Sequence, residues 1–221
     1  MARRGVDRVL LLGTGSGVGK THVAVALVRA LSRRGGAIGL KPVESGGRSD
    51  AACLDAVNAI RVEPHPLVEL SRPLSPHLAA RLEDRSIELA AIHAWIEEQE
   101  QRLVIYGHAV SYVVIETAGA AFSPLNDSAR NVDLARALAP CRIVLVAPDT
   151  LGVLHALTVT STALHGAGVP ADLVVLSTPA TDSSTGTNAG ELRRLGIADP
   201  VLVLGPGDDD AAALADALTT G

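Results

Sequence analysis

Short apolar runs alternate along the chain with longer amphipathic stretches rich in alanine and leucine. Several of the runs are continuous, without alternating polar positions, which is typical of strands covered on both faces. They predict strands over Val6–Leu12, Ala37–Lys41, Tyr112–Glu116, Ile143–Ala147, Leu173–Leu176 and Val201–Leu204. The intervening stretches predict helices at about residues 20–34, 50–60, 86–103, 129–138, 152–167, 188–195 and 208–219.

The alternation of strands and helices predicts an α/β fold in which a mostly parallel sheet is flanked by helices on both faces. We expect residues 1–221 to form a single domain, because this length suits one sizeable core. Two segments interrupt the pattern. The prolines of Glu63–Pro76 predict an irregular excursion, and the small polar residues of Thr178–Asn188 predict a surface loop.

Composition and charge argue against several classes of function. A net charge of −5 and 2% aromatic residues do not suit general nucleic-acid binding, which needs a basic surface and stacking platforms. No apolar run approaches the about 20 residues of a membrane helix, so we expect no membrane partner. Cys53 and Cys141 match no metal spacing, and we expect them to be buried small hydrophobes in a reducing, cytoplasmic compartment.

The strongest chemical signal is the glycine-rich segment Gly13–Thr21, GTGSGVGKT, between the first predicted strand and the first predicted helix. Glycines tolerate positive φ, so successive N–H groups can point into one anion hole, and the helix N-terminus adds positive charge. In such a phosphate loop Lys20 reaches the β- and γ-phosphates, and the Thr21 hydroxyl binds Mg²⁺. The segment therefore predicts a three-layer sandwich like that of P-loop NTPases.

This loop departs from the strict pattern G-x4-G-K-[ST], which would place its first glycine at residue 14. That position is Thr14, and the glycine comes one residue earlier, at Gly13. The alternative is a glycine-rich turn between strand and helix that binds no ligand. The flanking strand and helix, with Gly-Lys-Thr at the end of the loop, favour the phosphate loop over that alternative.

Other polar residues stand at predicted strand ends, where open α/β sheets bind ligands. Lys41 ends the second predicted strand and begins Lys41–Gly46, KPVESG, in which Ser45 can donate a hydrogen bond. Glu116 ends an apolar strand, where P-loop proteins hold or orient Mg²⁺. Asp50 begins a predicted helix and also fits a plain helix cap. Lys41 and Glu116 likewise fit solvated strand ends that need no ligand.

Together these segments resemble the dethiobiotin synthetase family, ATP-dependent carboxylases that close the ureido ring in biotin synthesis. The similarity runs from about Val9 to about Thr178. The family's phosphate loop has the same extra residue as this one. The remaining elements that resemble the family are Lys41–Gly46 (Lys-Pro-Val-x-Ser-Gly), Asp50, Ser75-Pro76-His77 (Ser-Pro-His), Glu116–Ala120 (Glu-Gly-Ala-Gly-Gly) and Leu151-Gly152 (Leu-Gly).

The resemblance implies a ligase that forms C–N bonds from 7,8-diaminopelargonate, CO₂ or bicarbonate, and ATP with Mg²⁺. One amine is carboxylated to a carbamate, whose oxygen attacks the γ-phosphate and gives a carbamic–phosphoric anhydride. The neighbouring amine then closes the cyclic urea and releases phosphate. The resemblance also implies a homodimer, with the diamine site near the subunit contact.

The same resemblance implies roles for individual residues. Lys20 and Lys41 are the implied catalytic residues, and Thr21, Asp50 and Glu116 the implied Mg²⁺ ligands. The implied ATP-binding residues are Gly15, Ser16, Gly17, Val18, Gly19, Lys20, Thr21, His22, Glu116, Gly119 and Ser177. The implied diamine-binding residues are Ser45, Ser75, Gly119, Leu151 and His155.

Departures from the family pattern leave two alternatives open. Ser177 and His155 each replace an asparagine, while Thr117 and Ala120 replace glycines and are expected to narrow access to the substrate. These differences allow a diverged homologue that acts on another amine. The other alternative is a regulatory or partitioning P-loop ATPase, although such proteins usually carry a second lysine where this chain has Gly15.

Overall fold

The computed structural model describes residues 6–105, 111–207 and 211–219 of the chain. Within these ranges the strands are β1 (Val6–Gly13), β2 (Gly36–Leu40), β3 (Val43–Ser45), β4 (Val68–Leu70), β5 (Ser111–Glu116), β6 (Arg142–Pro148), β7 (Leu173–Ser177) and β8 (Val201–Leu204). The helices are α1 (Lys20–Ser32), α2 (Ser49–Asp55), α3 (Pro76–Leu82), α4 (Leu89–Ile105), α5 (Asn131–Ala137), α6 (Val153–Gly166), α7 (Asn188–Arg194) and α8 (Ala212–Thr219).

The main sheet has the strand order β2-β5-β1-β6-β7-β8, and every neighbouring pair is parallel. Side chains of β1 alternate between its faces: Leu10 and Leu12 join the apolar core that α4 to α7 cover. Val9 and Leu11 join the core on the opposite face, which α1 and α8 cover. The predicted three-layer α/β architecture is therefore confirmed.

The six predicted strands of the main sheet are found within one or two residues of their expected ends. The excursion expected over Glu63–Pro76 is wrong in part, because β4 lies inside it and pairs with β3 in a second, parallel sheet. Strands of three residues are too short to show a hydrophobic period, so the sequence pattern missed both. The excursion ends at α3, which has Pro76 in its first turn.

Two predicted helices have different bounds in the structure. The helix expected over residues 50–60 ends at Asp55. Beyond it the chain turns back to β2, where the Asn58 amide donates to the Gly39 carbonyl and accepts from the Gly39 N–H. The helix expected over 208–219 is described from Ala212 onward, and residues 208–210 lie outside the described residues. Across the described residues, no helix combines the length and apolar character that crossing a membrane needs.

The two cysteines are free thiols and not the buried hydrophobes expected from the sequence. Cys53 is exposed on α2, and Cys141 is half-buried just before β6. On the short helix α2 the buried positions are Ala51 and Leu54, so the two residues between them, Ala52 and Cys53, point outward. The expectation that both cysteines are core residues is therefore wrong.

Candidate active site

The sheet order explains why distant residues of the sequence meet. Strand β5 lies between β2 and β1, with Leu11 opposite Glu116 and Leu40 opposite Ile115. Because the strands are parallel, the residues that follow them lie at one edge of the sheet. Lys41 follows β2, Glu116 ends β5 and the glycine-rich loop follows β1, so all three are adjacent.

The glycine-rich loop folds around the side chain of its own lysine. Lys20 begins α1, and its ammonium donates to the Gly15 carbonyl at 3.1 Å. A Cβ on Gly13 would lie 3.0 Å from both Lys20 Nζ and the Gly15 carbonyl oxygen. The glycine that stands one residue early thus leaves room for the lysine to return over the loop.

Gly19 closes the loop at the N-terminus of α1. Its φ is 85°, in the left-handed region that favours glycine, and a Cβ there would clash with Ser177 Oγ. Ser177 is buried beneath the loop, where its hydroxyl donates to the Val18 carbonyl. The glycine therefore allows close packing of the loop on the end of β7.

A second lysine lies among acidic residues at the same sheet edge. Lys41 Nζ donates to Glu116 Oε1 at 2.6 Å and to Asp50 Oδ2 at 2.7 Å. Thr21 Oγ1 donates to the same Glu116 oxygen at 2.9 Å. Lys41 and Glu116 are 3% and 1% exposed, so their interaction is almost entirely out of water. The sequence contains two lysines, Lys20 and Lys41, and both lie in this site.

The surroundings favour the charged forms of Lys41 and Asp50 but not that of Glu116. Burial disfavours the ammonium of Lys41, but Glu116 and Asp50 outweigh burial, so the pKa of Lys41 is raised. Burial also opposes ionisation of Asp50, yet the Lys41 ammonium lowers the pKa of that carboxyl group. Burial raises the pKa of Glu116, so its charged form depends on nearby cations. The cluster therefore suits a further positive charge at Glu116.

Lys20 has a different environment, because no carboxylate of the described residues bonds to its ammonium. Burial is the main cause that lowers its pKa, and repulsion from Lys41 adds to the effect, giving a value of about 8. A bound triphosphate would stabilise the ammonium and raise this pKa. Nucleotide binding and protonation of Lys20 are therefore coupled.

This coupling predicts pH-dependent nucleotide affinity. Below about pH 8 Lys20 is already charged, so nucleotide binding is accompanied by little proton uptake. Above about pH 8 the free protein has a neutral Lys20, and binding must be accompanied by uptake of a proton. Affinity for ATP therefore falls as pH rises, by at most about tenfold per pH unit. Calorimetry at about pH 7 and about pH 9, in buffers of different ionisation enthalpy, measures the uptake. Equal proton uptake at both pH values would contradict the coupling.

The carboxylates at this edge fit a hard divalent cation. Glu116 Oε2 is buried and has no hydrogen-bond partner among the described residues. The other oxygen of this carboxylate, Oε1, accepts from the Thr21 hydroxyl, and Thr21 also bonds to the Asp50 carboxylate. Oxygen donors of this kind suit Mg²⁺. The described residues contain no cluster of three or more His, Cys, Asp or Glu that could hold a metal. A cation here would need nucleotide phosphates to complete its coordination.

A cavity of about 730 Å³ opens over these groups. Of the residues singled out from the sequence, it brings together Ser16, Gly17, Gly19, Lys20, Thr21, Lys41, Ser45, Asp50, Ser75, Glu116 and Gly119. Its other lining residues were not among the predicted site residues; they are Glu44, Pro73, Leu74, Pro76, Ala118 and Ser123. Ser45 Oγ has no hydrogen-bond partner in the described chain, so it can donate to a ligand in the cavity.

Other predicted residues do not line this cavity. His22 and Ser177 line a neighbouring cavity of about 220 Å³ with Gly19. Leu151 and His155 are exposed near the start of α6, and Leu151 is 83% exposed. Gly15 and Val18 belong to the loop but do not line either cavity.

Thr117 does not narrow access to the site as expected from the sequence. Its hydroxyl donates to the Leu11 carbonyl at 2.8 Å, and the side chain is 2% exposed. The side chain therefore faces β1, and the cavity wall is formed by Ala118 and Gly119. The expected obstruction by Thr117 is wrong, because the hydroxyl has a strand carbonyl to bind.

Glu44 is a site residue that the sequence reasoning missed. Its carboxylate accepts the N–H of Asp50 at 2.8 Å and of Ala51 at 2.9 Å, and so caps the N-terminus of α2. Asp50 is therefore not the cap, and its own carboxylate bonds to Lys41. Helix capping rules search the residue next to the helix, whereas Glu44 reaches it from β3.

Solved structures with similar backbones show the fold alone. The cell division protein FtsY of Thermotoga maritima has a TM-score of 0.55 and 17% identity, covering 98% of this chain and 69% of that one. A ParA family ATPase of Chlorobium tepidum has a TM-score of 0.53 and 14% identity, covering 97% of this chain and 90% of that one. These likenesses confirm the P-loop architecture, and they do not distinguish among the functions that this fold supports.

Curated relatives and a family profile are more specific. Residues 7–206 match the AAA domain family. ATP-dependent dethiobiotin synthetase BioD of Anaeromyxobacter dehalogenans strain 2CP-1 is 36% identical, covering 95% of this chain and 94% of its own. BioD of Caulobacter sp. strain K31 is 34% identical, covering 95% of this chain and 93% of its own. With this identity over nearly its full length, the chain belongs to the ATP-dependent dethiobiotin synthetase family of ligases.

Proposed function

We propose that this protein forms dethiobiotin from 7,8-diaminopelargonate and CO₂ at the expense of ATP. One observation carries the proposal: both lysines of the sequence line one cavity, together with two carboxylates and the glycine-rich loop at the N-terminus of α1. Phosphoryl transfer asks a protein chiefly for positioning and charge neutralisation. The partitioning-ATPase alternative has no comparable support, because Gly15 stands where those proteins usually carry a lysine.

The reaction can be assigned to these residues in three steps. One substrate amine adds to CO₂ and loses a proton, giving a carbamate. A carbamate oxygen attacks the γ-phosphorus while the bond to the ADP oxygen breaks, and Lys20 and Lys41 stabilise the shared negative charge. The second amine then attacks the carbamate carbon, its proton leaves, and the carbon–oxygen bond to phosphate breaks as the ring closes.

We propose that Thr21, Asp50 and Glu116 hold Mg²⁺ in the loaded protein. The buried oxygen Glu116 Oε2, which lacks a partner within the described residues, supports this role. Bound Mg²⁺ neutralises part of the triphosphate charge. Lys41 then remains the cation that faces the carbamate, because the same carboxylates hold its ammonium in place.

We assign the cavity of about 220 Å³ beside the phosphate loop to the nucleotide base. It is lined by Gly19, His22, Ser177, Thr178, Pro179, Pro206 and Gly207. The Ser177 hydroxyl donates to the Val18 carbonyl, so it does not make the paired hydrogen bonds to a base that an asparagine amide at this position would make. Base recognition in this cavity therefore rests on shape and backbone groups, which discriminate less between bases than a bidentate amide.

A homodimer would give Leu151 and His155 a role in substrate binding. These residues do not line the cavity of about 730 Å³ in their own chain. They belong to an exposed face near the start of α6 that also includes Val159, which is 54% exposed. We propose that this face meets a second copy of the chain, so that each copy completes the diamine site of the other.

The proposed function is tested by incubating the protein with 7,8-diaminopelargonate, bicarbonate, Mg²⁺ and either ATP or CTP. Mass spectrometry of the products should detect dethiobiotin, and ADP should be released only when the diamine is present. Nucleotide hydrolysis that is independent of the diamine, with no cyclic urea, would favour an ATPase. A cyclic urea formed only from a different diamine would identify a diverged homologue.

A further inference from the structure

A histidine outside the cavity is bonded to the backbone of Lys41. The Lys41 N–H donates to His65 Nε2 at 2.8 Å, and both residues are buried. Lys41 follows β2, which lies at the edge of the main sheet, so the described part of the chain provides no strand on that side to accept this N–H. The imidazole takes the place of a neighbouring strand at the residue whose side chain enters the site.

The other ring nitrogen fixes which tautomer is present. His65 Nδ1 lies 2.7 Å from Asp55 Oδ1, at the end of α2. Nε2 can accept the Lys41 N–H only when it carries no proton, and Asp55 retains the single ring proton on Nδ1. Both nitrogens therefore have the partner that the neutral ring requires.

The surroundings of the ring favour this neutral form. Burial lowers the pKa of His65, while Asp55 opposes the shift; Glu44 also favours protonation and Arg48 disfavours it. The ring packs beside Trp95, with centroids 6.1 Å apart, and its side chain is 1% exposed. Its position is thus determined by packing as well as by hydrogen bonds.

We propose that His65 is a positioning residue that holds the Lys41 backbone and so fixes the ammonium beside Glu116 and Asp50. Lys41 is then held at both ends, by His65 at its N–H and by the carboxylates at Nζ. A shift of the backbone at this point would move the ammonium relative to the phosphoryl group, where small displacements are costly. The inference rests on the catalytic role proposed above for Lys41.

Asn58 provides a matched control on the same strand edge. Its amide bonds to the N–H and C=O of Gly39, two residues before Lys41, in the same manner as a neighbouring strand would. Asn58→Ala therefore weakens the edge of β2 without removing a bond to Lys41. A purely structural role for His65 would make its loss equivalent to this change.

The test compares His65→Gln with His65→Met, two side chains of similar length: the Gln amide oxygen is a strong hydrogen-bond acceptor, whereas the Met thioether is only a weak one. We expect His65→Gln to keep kcat within about threefold, and His65→Met to lose about tenfold or more with KM for ATP within about twofold. Asn58→Ala should lower the melting temperature while kcat stays near wild type.

Equal kcat values for His65→Gln and His65→Met, both shown to be folded by circular dichroism, would overturn the inference. So would a kcat loss in Asn58→Ala as large as in His65→Met. If Lys41→Ala is inactive in the same assay, either result leaves the proposed function standing. If Lys41→Ala is fully active, both the role of Lys41 and the inference about His65 are wrong.

Discussion

Lys41→Ala is expected to lower kcat for dethiobiotin formation by about 10³-fold and to leave the affinity for ATP within a few-fold. The ammonium is buried and is held 2.6 Å from Glu116 and 2.7 Å from Asp50. A water molecule in its place would not supply the positive charge that these buried carboxylates require. Its charge acts on the carbamate and on the phosphoryl group during transfer. Nucleotide binding depends mainly on Lys20 and the loop amides, which this substitution does not alter.

The measurement is steady-state kinetics with separate titrations of ATP and the diamine, with dethiobiotin detected by mass spectrometry. Arg81→Ala, which removes an exposed cation of α3, is the control and should retain wild-type kcat. Lys41→Ala leaves the carboxylates of Glu116 and Asp50 without their shared cation, so the melting temperature of this variant should be recorded with Mg²⁺ present. A folded Lys41→Ala protein with kcat within about threefold of wild type would remove Lys41 from the mechanism.

Glu116→Gln should have the second largest effect, a kcat loss of about 10²-fold or more together with a higher Mg²⁺ requirement. The amide keeps the size of the side chain but removes the charge that faces Lys41 and Thr21. It also replaces one carboxylate oxygen by an NH₂ group, which cannot bind a cation. Both effects act on the same groups, so activity and Mg²⁺ dependence should change together.

Titration of Mg²⁺ at saturating ATP separates the two effects of Glu116→Gln. Glu97→Gln serves as the control: Glu97 is half-exposed on α4 and does not line the cavity, so this variant should match wild type in both kcat and Mg²⁺ dependence. An unchanged Mg²⁺ requirement with reduced kcat would limit Glu116 to fixing Lys41. Unchanged values of both would exclude Glu116 from metal binding and from catalysis.

The sequence was sufficient to predict the main sheet because its strands are continuous apolar runs covered on both faces. The position of the site followed from the same prediction, since Lys41, Glu116 and the glycine-rich loop all come directly after a strand. Parallel strands place such residues at one edge, whatever their separation along the chain. The ion pair between Lys41 and Glu116 is the detailed result of that rule.

Features that depend on side-chain direction could not be predicted in this way. Thr117 turns its hydroxyl to β1, and Ser177 turns its hydroxyl to the phosphate loop, although sequence position alone directs both to a ligand. Glu44 and His65 act through backbone N–H groups that are distant along the chain. Hydrogen bonds of this kind have no fixed spacing, so only the folded chain reveals them.

The central claim, that a carbamate oxygen receives the γ-phosphoryl group at this site, is tested most directly by isotope transfer. The protein is mixed with the diamine, ATP, Mg²⁺ and ¹⁸O-labelled CO₂ in unlabelled water, and the reaction is stopped before CO₂ exchanges its oxygen with water. The account predicts one ¹⁸O atom in the released phosphate and one in dethiobiotin, because the carbon–oxygen bond breaks when the ring closes. Unlabelled phosphate, released with or without dethiobiotin, would contradict it.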